Sequence, residues 1–412
     1  MKQFCRGVLA VFALALAHTH AYGADTRIAG WRGDGSGRFP NATPPTEWSE
    51  TKNIRWRTQI GANKFSSPVL AAGRIYVTAD PAWLVCVNAA DGKILWKKSN
   101  DFSDLPEKSE LTHRLADAGN TAPTPVSDGD SVFALFGSGI VACYERDGAR
   151  RWIRHFRNKP TPEYGRATSP ILVGGKLLVT LSHLLALDPR SGRELWENKS
   201  VPESYGTPLA AKLDGVDVLV MPSGQIVRLA DGRLLATELG GLKFASPIVH
   251  DGAAFFIQTG SAAHRFSGAD AARWSAKTFW EQELEGTFYA SPVWHDGLIY
   301  TVANEYKFHI LDARDGKLLA LRDLEFPAPK NSAPASNAAA PNMYPSLVAA
   351  GNFVFAFNDA GDALVLKPGK TFHELRRNHL GEGHGGTPVF DGHRIYLRSG
   401  AELFCISDEA KN

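Results

Sequence analysis

The chain has 412 residues, a formal net charge of +2, 21% charged residues and 44% hydrophobic residues. That balance excludes a dedicated nucleic-acid or polyanion binder and wholesale disorder, and leaves a globular protein. Length by itself fits either two or three ordinary domains or a single closed ring of repeats.

The first segment reads as an address. Lys2 and Arg6 precede an apolar run from Val8 to Ala17, and the small residues Ala21 and Gly23 suit cleavage before Ala24, so residues 1–23 are expected to form a signal peptide. The run is about half of the roughly twenty residues that a membrane-crossing helix needs, and no later stretch approaches that length. Cys5 stands before the run, whereas a lipoprotein needs its cysteine just after it. The expected product is soluble and monomeric, periplasmic or secreted. It has a lead-in over 24–52, a repeat domain over 53–406 and a tail over 407–412.

The repeat domain carries eight copies of one pattern: Ser/Thr-Pro-apolar, a Gly followed by an apolar strand, then Asp/Ser-Gly-Lys/Arg-x-x-Trp. Trp56, Trp196 and Trp280 each lie twelve residues before an anchor proline (Pro68, Pro208, Pro292), and Leu235 takes the same slot before Pro247. The remaining anchors are Pro125, Pro170, the Pro345-Ser346 pair and Pro388. Successive anchors are 38 (Pro170 to Pro208) to 57 (Pro68 to Pro125) residues apart, and about forty to fifty residues is one four-stranded propeller blade. The fold class predicted is all-β, an eight-bladed β-propeller of four-stranded antiparallel blades.

In the first blade the strands are expected at 66–70, 74–78, 84–88 and 94–97, with Gly73 and Asp91-Gly92 in the tight turns. Trp56, Trp96, Trp152, Trp196 and Trp280 end their blades with a flat surface suited to packing on the neighbouring blade. Cys86, Cys143 and Cys405 fall on apolar third strands, where the third blade has Ala186, and read as small core residues. Without C-x-x-C or C-x-x-C-H no metal or haem site is expected from them.

Just before the inner strands a second pattern recurs. Phe65, Tyr205, Phe244 and Tyr289 stand three residues before an anchor proline, and Lys64, Arg166, Lys243 and His384 stand four before one. Two readings stay open: a binding rim for an acidic small molecule or a partner's peptide, or aromatics wedged between blades beside solvated cations. Two long connections, 97–120 and 320–342, reach the same mouth. In the first, Asp104-Leu105-Pro106-Glu107 ahead of Leu111 and Leu115 suits a short helix. The second reads as extended or mobile.

The last repeat supplies three strands and then ends, whereas Asn53 to Gln59 has no strands before it. The first strand is therefore expected to complete the last blade and close the ring.

These blade endings, the Ser-Pro inner strands and the stretch Trp31-Arg32-Gly33-Asp34-Gly35-Ser36-Gly37 resemble bacterial proteins with pyrroloquinoline-quinone-type propeller repeats, over about residues 31–406. That family includes quinoprotein alcohol dehydrogenases as well as non-enzymatic periplasmic propellers such as the outer-membrane protein assembly scaffold. The resemblance implies, for the enzymatic branch, a vicinal Cys-Cys pair, calcium ligands and an Asp base. Adjacent cysteines are absent here, and no local acidic cluster suggests calcium.

Other fragments carry less weight. His379-Leu380-Gly381-Glu382-Gly383-His384 matches no metal-ligand spacing, and Arg32-Gly33-Asp34 among glycines reads as a turn. Asn41-Ala42-Thr43 and Asn198-Lys199-Ser200 fit a glycosylation triplet. The expected function is an exported, non-catalytic propeller that binds or scaffolds an envelope protein or a small acidic ligand, without cofactor. The alternatives are a quinone- and calcium-dependent oxidoreductase and, more weakly, a hydrolase or lyase site on the loop-rich face.

Overall fold

A computed structural model describes residues 29–62, 65–107, 119–157, 163–268, 274–326, 340–383 and 385–409. The expected signal peptide, Lys64, His384, Leu111, Leu115 and residues 108–118 and 327–339 of the long connections lie outside the described residues. Within them, a 3-10 turn at Phe102–Asp104 follows the first blade, and no helix is long and apolar enough to cross a membrane.

The strands form eight blades in a ring, each antiparallel and ordered from inner to outer edge as the chain runs. Blade 1 consists of Val69–Ala71, Arg74–Ala79, Trp83–Asn88 and Ile94–Ser99. Blades 2 to 7 follow over residues 126–155, 171–202, 209–236, 248–283, 293–323 and 348–379. Blade 8 takes three strands over 389–406 and its outer strand, Ile54–Gln59, from the start of the repeat domain. Trp56 faces Cys405 and Gln59 faces Glu402 in that antiparallel pair. Closure in this way leaves the ring no unpaired seam.

The repeated Gly-x-x-x-Trp spacing has a packing cause. The tryptophan of one blade lies against the Asp-Gly or Ser-Gly turn of the next, where the glycine has positive φ and no room for a side chain. A Cβ on Gly92 would stand 2.6 Å from Trp56, on Gly148 2.8 Å from Trp96, and on Gly192 2.7 Å from Trp152. The indole N–H groups of Trp56, Trp96, Trp152 and Trp280 donate to carbonyls of Ala89, Arg146, Pro189 and Ala313 at 2.9–3.2 Å, each in the neighbouring blade. Trp196 covers Gly232 in the same manner.

Across the strand pair, each tryptophan meets a small residue: Cys86 opposite Trp96, Cys143 opposite Trp152, Ala186 opposite Trp196, Ala263 opposite Trp280. A larger side chain there would displace the indole, so the cysteine/alanine choice follows from volume. Burial pushes the thiols up, Cys86 to about 11 and Cys143 and Cys405 to about 12. All three are free and buried. The expected result is that a thiol reagent at pH 8 leaves these three untouched in the native protein and modifies them on unfolding. Rapid native labelling would contradict this account.

Blades 4 and 7 depart from the sequence register. In blade 4 the residue opposite Ile226 is Ala236, so Ala236 holds the tryptophan slot and not Leu235. In blade 7 the hydroxyl that starts the inner strand is Ser346, followed by Leu347 in place of the proline. Pro345 stands two residues too early to be the anchor.

The lead-in is built into the ring. Arg38–Phe39 adds a short parallel strand to the inner edge of blade 7, pairing with Ala349 and Ala350. Ala29 bridges to Ser127 in blade 2, and Gly35 lies against Leu209 in blade 4. Arg32 is buried and donates to the carbonyls of Pro292 and Leu347 at 2.8 and 2.7 Å, in blades 6 and 7. Residues 29–39 thus lie across the ring. Burial pulls the Arg32 guanidinium down to about 9 while Asp34 pulls it back up. So placed, Arg32 is a strut, and of its tripeptide only Asp34 is exposed.

Three histidines inside the blades make stability depend on pH. His264 Nε2 donates to the Leu239 carbonyl at 2.6 Å, so its Nδ1 accepts from the Thr278 hydroxyl at 3.1 Å and the ring is neutral. Burial lowers the pKa of His250, His264 and His309 below their ordinary 6.5. The unfolded chain takes up these protons near pH 6.5 and the folded chain only lower, so stability is full above that pH and falls as pH drops through and below it. A lower urea midpoint at pH 5.5 than at 7.5, with less of a difference in His264→Gln, is the expected result.

Candidate functional site

The mouth of the ring is organised by a collar. The residue immediately before each inner strand or its proline is a serine or threonine, and its hydroxyl accepts the backbone N–H of the equivalent residue one blade earlier. Ser67 N donates to Thr124, Thr124 N to Ser169, Ser169 N to Thr207 and Thr207 N to Ser246, at 2.8–3.1 Å. The series continues from Ser246 to Ser291, Ser346 and Thr387, and Thr387 N donates back to Ser67, at 2.9–3.1 Å. The Ser/Thr-Pro signature is therefore a closed circle of hydrogen bonds, all running in one rotational sense. Each satisfies a buried amide that would otherwise cost about 1–3 kcal/mol.

Two residues before the collar, on the solvent side, stand the aromatics. Tyr205, Phe244, Tyr289, Tyr344 and Phe65 occupy this slot in blades 4, 5, 6, 7 and 1. With Tyr164 they form a continuous arc: Tyr164 to Tyr205 6.0 Å between centroids, then 5.1 Å to Phe244, 4.6 Å to Tyr289, 5.3 Å to Tyr344 and 5.3 Å to Phe65. Burial pushes the phenols of Tyr205 and Tyr344 up, which keeps both protonated at neutral pH. In blades 2, 3 and 8 the same slot is Ala122, Ala167 and Gly385, so the opposite wall is low and smooth.

Collar, arc and small-residue wall enclose a cavity of about 900 Å³ with Trp31 of the lead-in as part of its lining. The charged side chains lining it among the described residues are Asp359 and Glu382. Asp359 is held by Asn342, whose backbone N–H and side-chain amide donate to it at 2.6 and 3.1 Å.

Of the four predicted cationic positions, the two described, Arg166 and Lys243, do not face the mouth together. Lys243 is exposed at the edge, with its ammonium 5.0 Å from the Phe244 ring centroid. Arg166 offers nothing to the mouth: its guanidinium is fully buried, Nε 2.6 Å from Glu203 Oε1, and it also donates to the Gly137 carbonyl at 2.9 Å. Its predicted place on a basic rim is corrected by that pairing. Sequence reasoning missed Tyr344 because its apparent proline anchor is shifted by two residues, and missed Tyr164 and Trp31 because neither follows the repeat register. His379 bonds to Asp362 at 3.0 Å, and among the described residues no group of three or more His, Cys, Asp or Glu side chains could hold a metal ion.

The family described as Outer membrane protein assembly factor BamB matches residues 46–183 and 180–412. The chain belongs to that family. No curated protein sequence matches it. Among solved structures, BamB from Moraxella catarrhalis is similar with a TM-score of 0.58 and 15% identity, over 87% of this chain and 99% of that one. A europium-containing methanol dehydrogenase is similar with a TM-score of 0.64 and 13% identity, over 91% and 90%. The quinohemoprotein alcohol dehydrogenase of Comamonas testosteroni gives a TM-score of 0.59 and 10% identity, over 90% and 79%. At such identities the solved structures share the fold with this BamB-family chain, and the fold hosts both scaffolds and dehydrogenases.

A quinone cofactor can be tested against the lining. Pyrroloquinoline quinone is a polycarboxylate and needs cationic partners or a metal to neutralise it. The described lining offers two carboxylates and no lysine, arginine or histidine. The cysteines sit in blades 1, 2 and 8, each buried against a tryptophan. These residues do not fit that group. The two described carboxylates would repel a small acid.

Proposed function

We propose that this chain is an exported, non-catalytic scaffold of the cell envelope that works in outer membrane protein assembly by holding a partner at the mouth of its ring. Residues 1–23 serve as the export leader, and the mature protein acts in the periplasm as a monomer. The observation that carries this reading is the family match over residues 46–412, and it is supported by a mouth whose described polar groups form no nucleophile–base pair. A ring held by eight inter-blade hydrogen bonds is a rigid platform, which lowers the entropy cost of binding.

The test is affinity purification of the tagged protein from envelope extracts after mild cross-linking, beside a dye-linked alcohol oxidation assay with added pyrroloquinoline quinone and calcium. Stoichiometric co-purification of an envelope assembly component with no oxidation supports the scaffold. Quinone-dependent turnover would replace it with the oxidoreductase suggested by the dehydrogenase structures.

A further inference from the structure

The cavity has a chemistry of its own. Each collar hydroxyl accepts a neighbour's N–H, yet none donates its own proton to another described residue. Of the collar, Thr124, Ser169, Thr207, Ser246, Ser291 and Ser346 line the cavity, as does Thr387. Ser246 and Thr124 are shut off from solvent, but the hydroxyl hydrogens of the slightly exposed Ser169, Thr207, Ser291, Ser346 and Thr387 are free to turn toward a guest, which spaces uncharged donors around the cavity floor. Above it stands the aromatic arc, whose rings alternate between stacked and edge-on: Tyr205 and Phe244 are 22° apart, Phe244 and Tyr289 85°, Tyr289 and Tyr344 26°. Faces and edges are therefore both presented. Asp359 and Glu382 supply strong acceptors beside the arc, and Asn342 fixes the first of them.

We propose that this cavity is a binding site for a neutral carbohydrate, a short oligosaccharide or one end of a glycan chain. A sugar has what each wall lacks. Its ring and hydroxyl oxygens accept from the collar, its hydroxyl hydrogens donate to the two carboxylates, and its face of C–H bonds lies on the negative face of an aromatic ring. It brings no charge that the two carboxylates would repel. The volume of about 900 Å³ lies within the roughly 300–1,000 Å³ of small-molecule sites. A polycarboxylate meets the wrong charge, and a compact organic cation would use the arc and the carboxylates but leave the donor circle without acceptors. The inference stands on the cavity and does not need the protein partner proposed above.

The experiment is a glycan array with the purified protein, followed by calorimetric titration of the best ligand, with choline and pyrroloquinoline quinone as competitors. Saturable binding of a neutral oligosaccharide is expected, with saturation transfer to the sugar ring protons in NMR. Tyr289→Ala and Tyr344→Ala should each weaken it about threefold to tenfold, the range of one aromatic contact, while Tyr289→Phe retains it. Unchanged thermal unfolding of the variants separates lost contact from lost fold. An array without neutral ligands, binding indifferent to both tyrosine deletions, or displacement by choline would overturn the proposal. Co-purification of an envelope partner is a separate readout and survives any of these results.

Discussion

Replacing Arg166 with Met is expected to destabilise the protein by about 3–5 kcal/mol, the usual penalty for leaving a buried charge without its partner. Arg166 and Glu203 are both fully excluded from solvent and 2.6 Å apart. Glu203 also accepts from the Ser182 N–H at 3.0 Å, and Arg166 reaches the Gly137 carbonyl, so the pair ties blade 2 to blade 3. Combining Arg166→Met with Glu203→Leu removes both charges and should recover about half the loss or more. It should not recover all of it, because the Gly137 carbonyl and Ser182 amide are left unsatisfied, at about 1–3 kcal/mol each at most. Urea midpoints of the two single variants and the double variant check this. A single variant as stable as the parent would show that the pair is not buried as described.

The second large effect lies at the blade junctions. Gly316 has φ +74°, and a Cβ there would stand 2.6 Å from the Trp280 ring. Gly316→Ala should cost about 1–2 kcal/mol for the left-handed backbone and about 1–3 kcal/mol for crowding the indole. Trp280→Ala alone should cost about 3–5 kcal/mol, through the lost core volume and the lost bond to the Ala313 carbonyl. The two are in contact and should not add. Once the indole is gone the new methyl group has space, so the double variant should pay only the backbone part of the glycine change, giving a coupling of about 1–3 kcal/mol. Additive losses would mean that the glycine and the tryptophan are not packing partners.

These pairs also explain what a linear reading could find. The repeat was legible because each of its letters answers to one local requirement. The glycine lies under a tryptophan, the serine or threonine closes a circle, and the cysteine or alanine leaves room for an indole. Blade count and closing strand follow from those letters in order. Arg166 was misread because Glu203, which neutralises it, lies on the far side of a blade. Four residues before a proline, a buried strut and a solvent-facing cation look alike. Tyr344 is hidden by Pro345, which imitates an anchor two positions early. Leu235 was placed by distance from Pro247, whereas strand pairing selects Ala236. The lead-in gave no periodicity at all, and only the folded ring shows Arg32 and Trp31 reaching blades several hundred residues away.

The seam between Ile54–Gln59 and Glu402–Ile406 joins the earliest four-stranded-blade strand to be synthesised to the latest. Until the final strand has emerged, the earliest one has no place to pair, and every younger precursor exposes two raw edges. A chain delivered in an extended form across a membrane must therefore be shielded, or finish quickly, before its ring can lock.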